Sequence, residues 1–244
     1  VLTEDFGYSG PVLTSAPSRA IIPFMLKDYM KTTFESFYAY SQPKIDSCCR
    51  KISHVGLGET VEVNGVEITP HYAGHVLGAV MFEIRYRGFS VLYTGDFNSS
   101  ADRHLSGCQV SLRAPLNVLI TESTYAGELR DWKKDRELQF MEQIKKTFDR
   151  GGKVLVPVFA LGRAQEFFVL IEDIWEKTGW TIPVYFASNL SEKVNLFFKA
   201  FADWTNHNVR TQLKHSGKSV FDLRHIRKFE THLLKSPGPM LVIA

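Results

Sequence analysis

Two turn dipeptides constrain the first half of this chain more than any other feature. Asn64-Gly65 separates Val61-Glu62-Val63 from Val66-Glu67-Ile68, and Arg87-Gly88 separates Val80-Met81-Phe82-Glu83-Ile84-Arg85-Tyr86 from Phe89-Ser90-Val91-Leu92-Tyr93. An Asn-Gly pair accepts the positive φ angles of a type I′ turn, whose twist matches that of the strands it joins. Apolar and polar residues alternate on both sides of Asn64-Gly65, so that hairpin is specified by pattern as well as by turn. The expectation is an antiparallel layer with His75 and Asp96 just outside its strands. Asn117-Val118-Leu119-Ile120-Thr121 reads as a short buried strand that delivers Glu122. Such strand ends are where an α/β fold exposes side chains to a cleft.

After Tyr125 the pattern changes. Residues 136–148 carry Leu138, Met141, Ile144 and Phe148 on one side of a helix that Gly151-Gly152 ends. Lys153-Val154-Leu155-Val156-Pro157-Val158 reads as a buried strand. A further helix begins near Arg163, with Ala164, Phe167, Phe168, Ile171, Ile174 and Trp175 close to a 3.6-residue period. Ile182-Pro183-Val184-Tyr185-Phe186 is the next strand. Asn189-Leu190-Ser191-Glu192 has the spacing of a capping box for a helix that buries Val194, Phe197, Phe198 and Phe201. Met240-Leu241-Val242-Ile243-Ala244 is a final strand. Such alternation implies a parallel sheet with helices on its faces. The chain therefore divides near Tyr125 into residues 1–124 and 125–244. Upstream, residues 20–40 are expected to form one or two helices, with Pro23 in a first turn, where proline is tolerated.

At 244 residues and 44% hydrophobic, the chain can bury one large core or two moderate ones. No run approaches the roughly 18 apolar residues of a membrane span, and the first residues lack a basic region followed by an apolar one, so no membrane partner is expected. The missing initial Met suggests that an upstream part was removed. Cys48-Cys49 and Cys108 make neither a disulfide framework nor a CxxC pair, which favours a reducing compartment. Residues 1–124 carry 10 Lys/Arg against 12 Asp/Glu, and residues 125–244 carry 19 against 14. The second half is thus better suited to phosphate contacts, although such an excess is also ordinary on a solvated surface.

Imidazole and carboxylate on neighbouring loops suit zinc, so His75 and Asp96 are candidate ligands. The same residues serve equally well as a loop histidine bonded to backbone and a turn-forming aspartate. Glu122 alone fits a helix cap or a surface pair. Arg163 follows Gly162 at a helix start, which suits either phosphate contact or packing of the loop by the arginine stem. His104 is read as lining the cleft or as making a structural hydrogen bond, and His54 and His71 as surface or loop histidines.

Five words stand in order along nearly the whole chain: Ala73-Gly74-His75-Val76-Leu77-Gly78-Ala79, Tyr93-Thr94-Gly95-Asp96-Phe97, Asp102-Arg103-His104-Leu105, Glu122-Ser123-Thr124-Tyr125, and Pro157-Val158-Phe159-Ala160-Leu161-Gly162-Arg163-Ala164-Gln165-Glu166. Together they resemble the metallo-β-lactamase/β-CASP nucleases, within them the RNA 3′-end-processing branch. Tyr72, Asn98 and Trp204-Thr205-Asn206 lean toward its Integrator-type members. The resemblance implies an α/β fold, a partial αββα metallo-β-lactamase sandwich with an inserted β-CASP α/β domain. It implies a zinc-dependent endoribonuclease with two Zn²⁺ ions, in which His75 ligates one zinc and Asp96 bridges both. Glu122 would hold a histidine that faces the scissile phosphate, so Asp96 and Glu122 are the catalytic candidates, with Arg163 and His104 as substrate contacts. Single-stranded RNA, a pseudo-enzyme paralogue as heterodimer partner, a larger RNA-processing complex and a nuclear location follow from the same resemblance. A non-catalytic scaffold subunit and a β-CASP nuclease acting on DNA are the alternatives. The family's upstream His-x-His-x-Asp-His segment and its later histidine motifs do not occur in these residues. The 244 residues alone are therefore expected to bind metal weakly or not at all, and to be inactive.

Overall fold

Residues 1–32, 41–129, 131–159, 161–187 and 189–244 are described by the computed structural model, and they divide into two units. The first takes in Val1–Glu122 and Leu196–Arg210; the second takes in Ser123–Asn195 and Thr211–Ala244. A single boundary near residue 125 does not anticipate the return of residues 196–210 to the first unit.

The first unit begins with β1 (Val12–Thr14), α1 (Ala16–Thr32), α2 (Gln42–Lys51) and β2 (Ile52–His54), and β1 pairs parallel with β2. Helix α1 starts earlier than residue 20 because Ser15 caps it: the Ser15 hydroxyl accepts the Ser18 N–H at 3.2 Å. Pro23 is consequently inside the helix and not in its first turn, where it removes one backbone hydrogen bond. The expected helical residues 33–40 lie outside the described residues, as do Ala160 and the side chains of the capping-box residues 189–192.

A five-stranded sheet follows, formed by β3 (Val61–Val63), β4 (Val66–Tyr72), β5 (Val80–Tyr86), β6 (Phe89–Tyr93) and β7 (Val118–Ile120), paired in that order. Its two hairpin turns form as expected, with φ of 53° and 78° at Asn64 and Gly65 and 48° and 80° at Arg87 and Gly88. The register sets Thr69 opposite Glu83, His71 opposite Met81, and Glu83 opposite Leu92, so these residues share one buried face. His71 is therefore no surface or loop histidine. It is 5% exposed, and its Nε2 lies 2.9 Å from one carboxylate oxygen of Glu83, whose other oxygen accepts a hydrogen bond from Arg85 Nε. Strand β7 is not buried either: Val118, Leu119 and Ile120 are 37%, 57% and 49% exposed. It is the edge of the sheet and pairs with β6 on one side.

In the second unit come α3 (Lys133–Asp149), β8 (Lys153–Val156), α4 (Arg163–Thr178), β9 (Val184–Phe186), α5 (Asn189–Ala200), α6 (His207–Ser216), β10 (Ile226–Lys228) and β11 (Met240–Ile243); α5 and α6 run across the division. Every pairing in the sheet β10-β9-β11-β8 is parallel, as strand and helix alternation requires. Its core joins Ile144 and Phe148 of α3 to Phe168, Ile171, Ile174 and Trp175 of α4 and to Val184, Leu241 and Ile243 of the strands. Burying each large side chain contributes about 1.5–3 kcal/mol. Leu138 is exposed, off the buried stripe, and β8 is a half-exposed edge strand rather than a buried one. The inner strands are β9 and β11, and β11 is buried at all four residues.

Candidate functional site

His75 stands on the loop between β4 and β5, and the loop is clamped at both of its glycines. Gly74 has φ +70°, and a Cβ there would lie 2.6 Å from the Ser106 carbonyl oxygen and 2.9 Å from the Cys108 nitrogen. Gly78 has φ +86°, with the Ser18 nitrogen 2.7 Å from where a Cβ would be. Only glycine combines that backbone conformation with such close approach. Hydroxyls of Ser15 and Ser18, at the start of α1, donate to the Gly78 carbonyl at 2.6 and 2.9 Å. Leu77 is buried between the two clamps, and the His75 imidazole is left 40% exposed.

Asp96 follows β6. The Thr94 N–H donates to the Ile120 carbonyl at 3.0 Å, which seats the turn against the end of β7. The Asp96 carboxylate is 70% exposed, and its Oδ2 lies 3.8 Å from His75 Nε2. Two residues on, the Asn98 N–H donates to the Ala73 carbonyl at 3.0 Å, and the Cys108 N–H donates to the Asn98 carbonyl at 2.7 Å. These backbone bonds tie the Asp96 loop, the His75 loop and residues 98–108 together.

Glu122 enters the same assembly from the end of β7. One of its carboxylate oxygens, Oε1, accepts the Phe97 N–H at 3.0 Å. Three of the residues singled out from the sequence are thus brought together: two donors directed outward, and a carboxylate that holds the loop of one of them.

His104 is 1% exposed, with its ring 5.2 Å from that of Phe198. It is a wall of the first unit rather than a side chain open to a cleft. Its carbonyl accepts the Asn206 N–H at 2.9 Å, and the Asn206 side chain donates to the Asp102 carbonyl at 3.1 Å while its Oδ1 accepts the Val209 N–H of α6 at 3.0 Å. Asn206 is the supporting residue that sequence reasoning missed, although Asn immediately before a helix is an N-cap signal. Tyr72 belongs to the same support. Its hydroxyl donates to the Trp204 carbonyl at 2.9 Å, and burial pushes its pKa up to about 12.

Arg163 belongs to the second unit, at the first position of α4, where its side chain is 60% exposed. Its guanidinium lies 3.1 Å from Glu166, which also pairs with Lys133 at 2.6 Å. The helix start is fixed independently of the arginine, since the Gln165 side chain accepts the Gly162 N–H at 2.8 Å.

Neutral imidazole and carboxylate together suit zinc. Two ligands at about 2.0–2.2 Å from one tetrahedral ion stand roughly 3.4 Å apart, so a small rotation of either exposed side chain brings the 3.8 Å pair to that separation. The pair fits two corners of a metal site. Among the described residues no group of three His, Cys, Asp or Glu side chains assembles into one.

Residues 22–125 match a metallo-β-lactamase superfamily domain, and residues 164–244 match a β-Casp domain. The chain is 43% identical over 246 residues to Integrator complex subunit 11 of Gallus gallus, covering 99% of this chain and 40% of that protein. It is 35% identical over 242 residues to cleavage and polyadenylation specificity factor 73 of Drosophila melanogaster, covering 97% of this chain and 35% of that protein. With endoribonuclease ysh1 of Schizosaccharomyces pombe it shares 33% identity over 247 residues, 96% of this chain and 32% of that protein. The chain therefore spans two fifths or less of each of these relatives.

Proposed function

The chain belongs to the metallo-β-lactamase/β-CASP family, homologous to Integrator subunit 11 and to the cleavage and polyadenylation endoribonucleases, and from that premise we propose that it is part of a zinc-dependent endoribonuclease of RNA 3′-end processing. The observation that supports it most is the pairing of His75 Nε2 and Asp96 Oδ2 at 3.8 Å on loops that are otherwise locked. His75 would hold one zinc, and Asp96 would be the ligand shared by two. Bound there, the metal lowers the pKa of a coordinated water and stabilises charge on a phosphoryl group.

The rest of the work falls to the chain itself. Gly74 and Gly78 keep the His75 loop from relaxing. Glu122, through Phe97, keeps the Asp96 carboxylate where His75 can meet the same ion, and such supporting carboxylates orient ligands and tune their basicity. Buried His104 and Asn206 support residues 98–108 beneath the two loops. Arg163, at the N-terminus of α4, offers a guanidinium and helix N–H groups to an RNA phosphate, in competition with Glu166.

Zinc needs at least two donors beyond His75 and Asp96, so the 244 residues alone would bind it weakly and be inactive. The higher identity to Integrator subunit 11 than to the cleavage and polyadenylation factor supports an Integrator-type assignment. That assignment carries with it a nuclear location, single-stranded RNA as substrate, and assembly with a pseudo-enzyme paralogue in a larger complex. Cleavage of single-stranded RNA by the full-length, zinc-loaded protein and its Asp96→Ala variant is the test, and turnover by the variant would refute the role given to Asp96.

A further inference from the structure

The second unit carries a cavity of about 630 Å³ that the proposed metal chemistry does not use. Its size falls within the roughly 300–1,000 Å³ span of small-ligand sites. Aromatic and imino-acid side chains, Trp180 and Pro183, line one part of it, and the basic side chains Arg224, His225 and Arg227 line another.

Each part is held by bonds that leave the facing side chains available. Trp180 packs edge to face against Trp175 at 5.1 Å and against Phe148 at 5.7 Å. Trp175 itself is anchored by donation of Nε1–H to the Ile182 carbonyl at 2.7 Å. On the basic side, the Glu172 carboxylate accepts the consecutive backbone N–H groups of Arg224, His225 and Ile226 at 2.9–3.2 Å. The main chain there is consequently fixed without any help from the guanidinium groups. Glu176, 3.6 Å from Arg224, is the acidic side chain of the lining, so two arginines face one carboxylate.

We propose that this cavity binds one nucleotide of a single-stranded nucleic acid, the base lying against Trp180 and the phosphate held by Arg224 and Arg227. An indole surface takes any base by stacking, and a guanidinium fork matches phosphate oxygens in a bidentate fashion. Inorganic phosphate uses only the second feature. An acidic peptide likewise offers carboxylates with no flat partner for the indole.

Calorimetric titration of the full chain, with a chelator present so that no metal site contributes, tests this. The ligands are a short oligoadenylate, 5′-AMP, inorganic phosphate and an oligoglutamate. The oligoadenylate should bind tightest, AMP more weakly, and phosphate should not displace either at equal concentration. Arg227→Ser and Arg224→Ser should each weaken the oligoadenylate at least about tenfold and reduce the slope of log affinity against log salt by about 0.7 for each phosphate that no longer meets a guanidinium. Arg227→Lys should recover part of the loss. Because both positions are exposed and the backbone is held at Arg224 by Glu172 and at Arg227 by the pairing of β10 with β9, the unfolding temperature should not change. No oligoadenylate binding, equal affinity in the serine variants, phosphate competing as well as AMP, AMP binding as tightly as the oligomer, or preference for oligoglutamate would each overturn the proposal. Since metal is absent throughout, RNA cleavage that depends on Asp96 stands or falls separately.

Discussion

Glu122 holds Phe97: a carboxylate oxygen at the end of β7 accepts the backbone N–H of the residue that follows Asp96, at 3.0 Å. An acidic side chain from one strand end thereby sets the loop that carries a candidate metal ligand from another. Asp96 itself is 70% exposed and meets His75 at 3.8 Å. Its position is determined by what grips its neighbours, the Phe97 N–H on one side and the Thr94 N–H on the other.

Replacing Glu122 should therefore loosen Asp96 without touching it. Glu122→Ala leaves a partly buried N–H without this acceptor, a loss of about 1–3 kcal/mol, whereas Glu122→Gln keeps an acceptor oxygen and should lose less. Zinc affinity of the full-length protein should fall about 10–100-fold in the alanine variant, measured by competition with a chelating dye. Unchanged affinity would show that Glu122 does not support the ligand.

The two glycines flanking His75 should not tolerate a side chain. A left-handed backbone costs about 1–2 kcal/mol for an alanine, and at Gly74 and Gly78 the added Cβ would also press on backbone atoms at 2.6 and 2.7 Å. Gly217 has φ +65° with nothing within 4 Å of a Cβ, so it supplies the control. In chemical denaturation, Gly74→Ala and Gly78→Ala should be distinctly less stable than Gly217→Ala. Equal losses at all three would mean that close approach contributes nothing.

Acid should weaken the first unit through Glu83. Burial opposes ionisation of this carboxyl, but its hydrogen bonds with His71 and Arg85 outweigh burial and hold its pKa below the ordinary 4.5. A carboxyl whose folded pKa is depressed stabilises the fold above its unfolded pKa, and the stabilisation is lost as pH falls through the folded value. Glu83→Gln should accordingly remove part of the loss in stability seen between neutral pH and pH values below 4.5, followed by urea unfolding across that range. An identical acid profile in the variant would exclude Glu83 as a source.

Tyr72 should ionise late in alkali. Burial raises its pKa to about 12, so its protonated form stabilises the fold below the ordinary tyrosine range, and that contribution is lost as pH rises toward the folded value. Absorbance near the phenolate band should show one tyrosine fewer ionising at moderate alkalinity in the parent than in the unfolded chain. Tyr72→Phe should abolish that difference and cost about 0.5–1.5 kcal/mol through the missing bond to Trp204.

Local chemistry was legible in the sequence where a residue's own backbone decides the structure. Asn64-Gly65 and Arg87-Gly88 announce their turns, and the parallel sheet of the second unit follows from its strand and helix alternation. Burial was less legible, because it depends on neighbours that are distant in sequence. Val118-Leu119-Ile120 looks like a core strand and forms an exposed edge; His71 looks like a loop residue and lies on the buried face of β4, opposite Met81 and bonded to Glu83, its diagonal neighbour on β5. At the candidate site, His75, Asp96 and Glu122 stood out by their words in the chain, and the structure brings their loops together. Asn206 was missed as a support, because its bonds to Asp102 and His104 cross about a hundred residues and no periodicity encodes them.

The most direct test of the account is RNA cleavage by the full-length protein bearing Asp96→Ala, loaded with zinc beside the unsubstituted protein and checked for metal content and unfolding temperature. The account predicts a folded variant with reduced zinc and no measurable turnover of single-stranded RNA. Undiminished turnover at full zinc occupancy would contradict it.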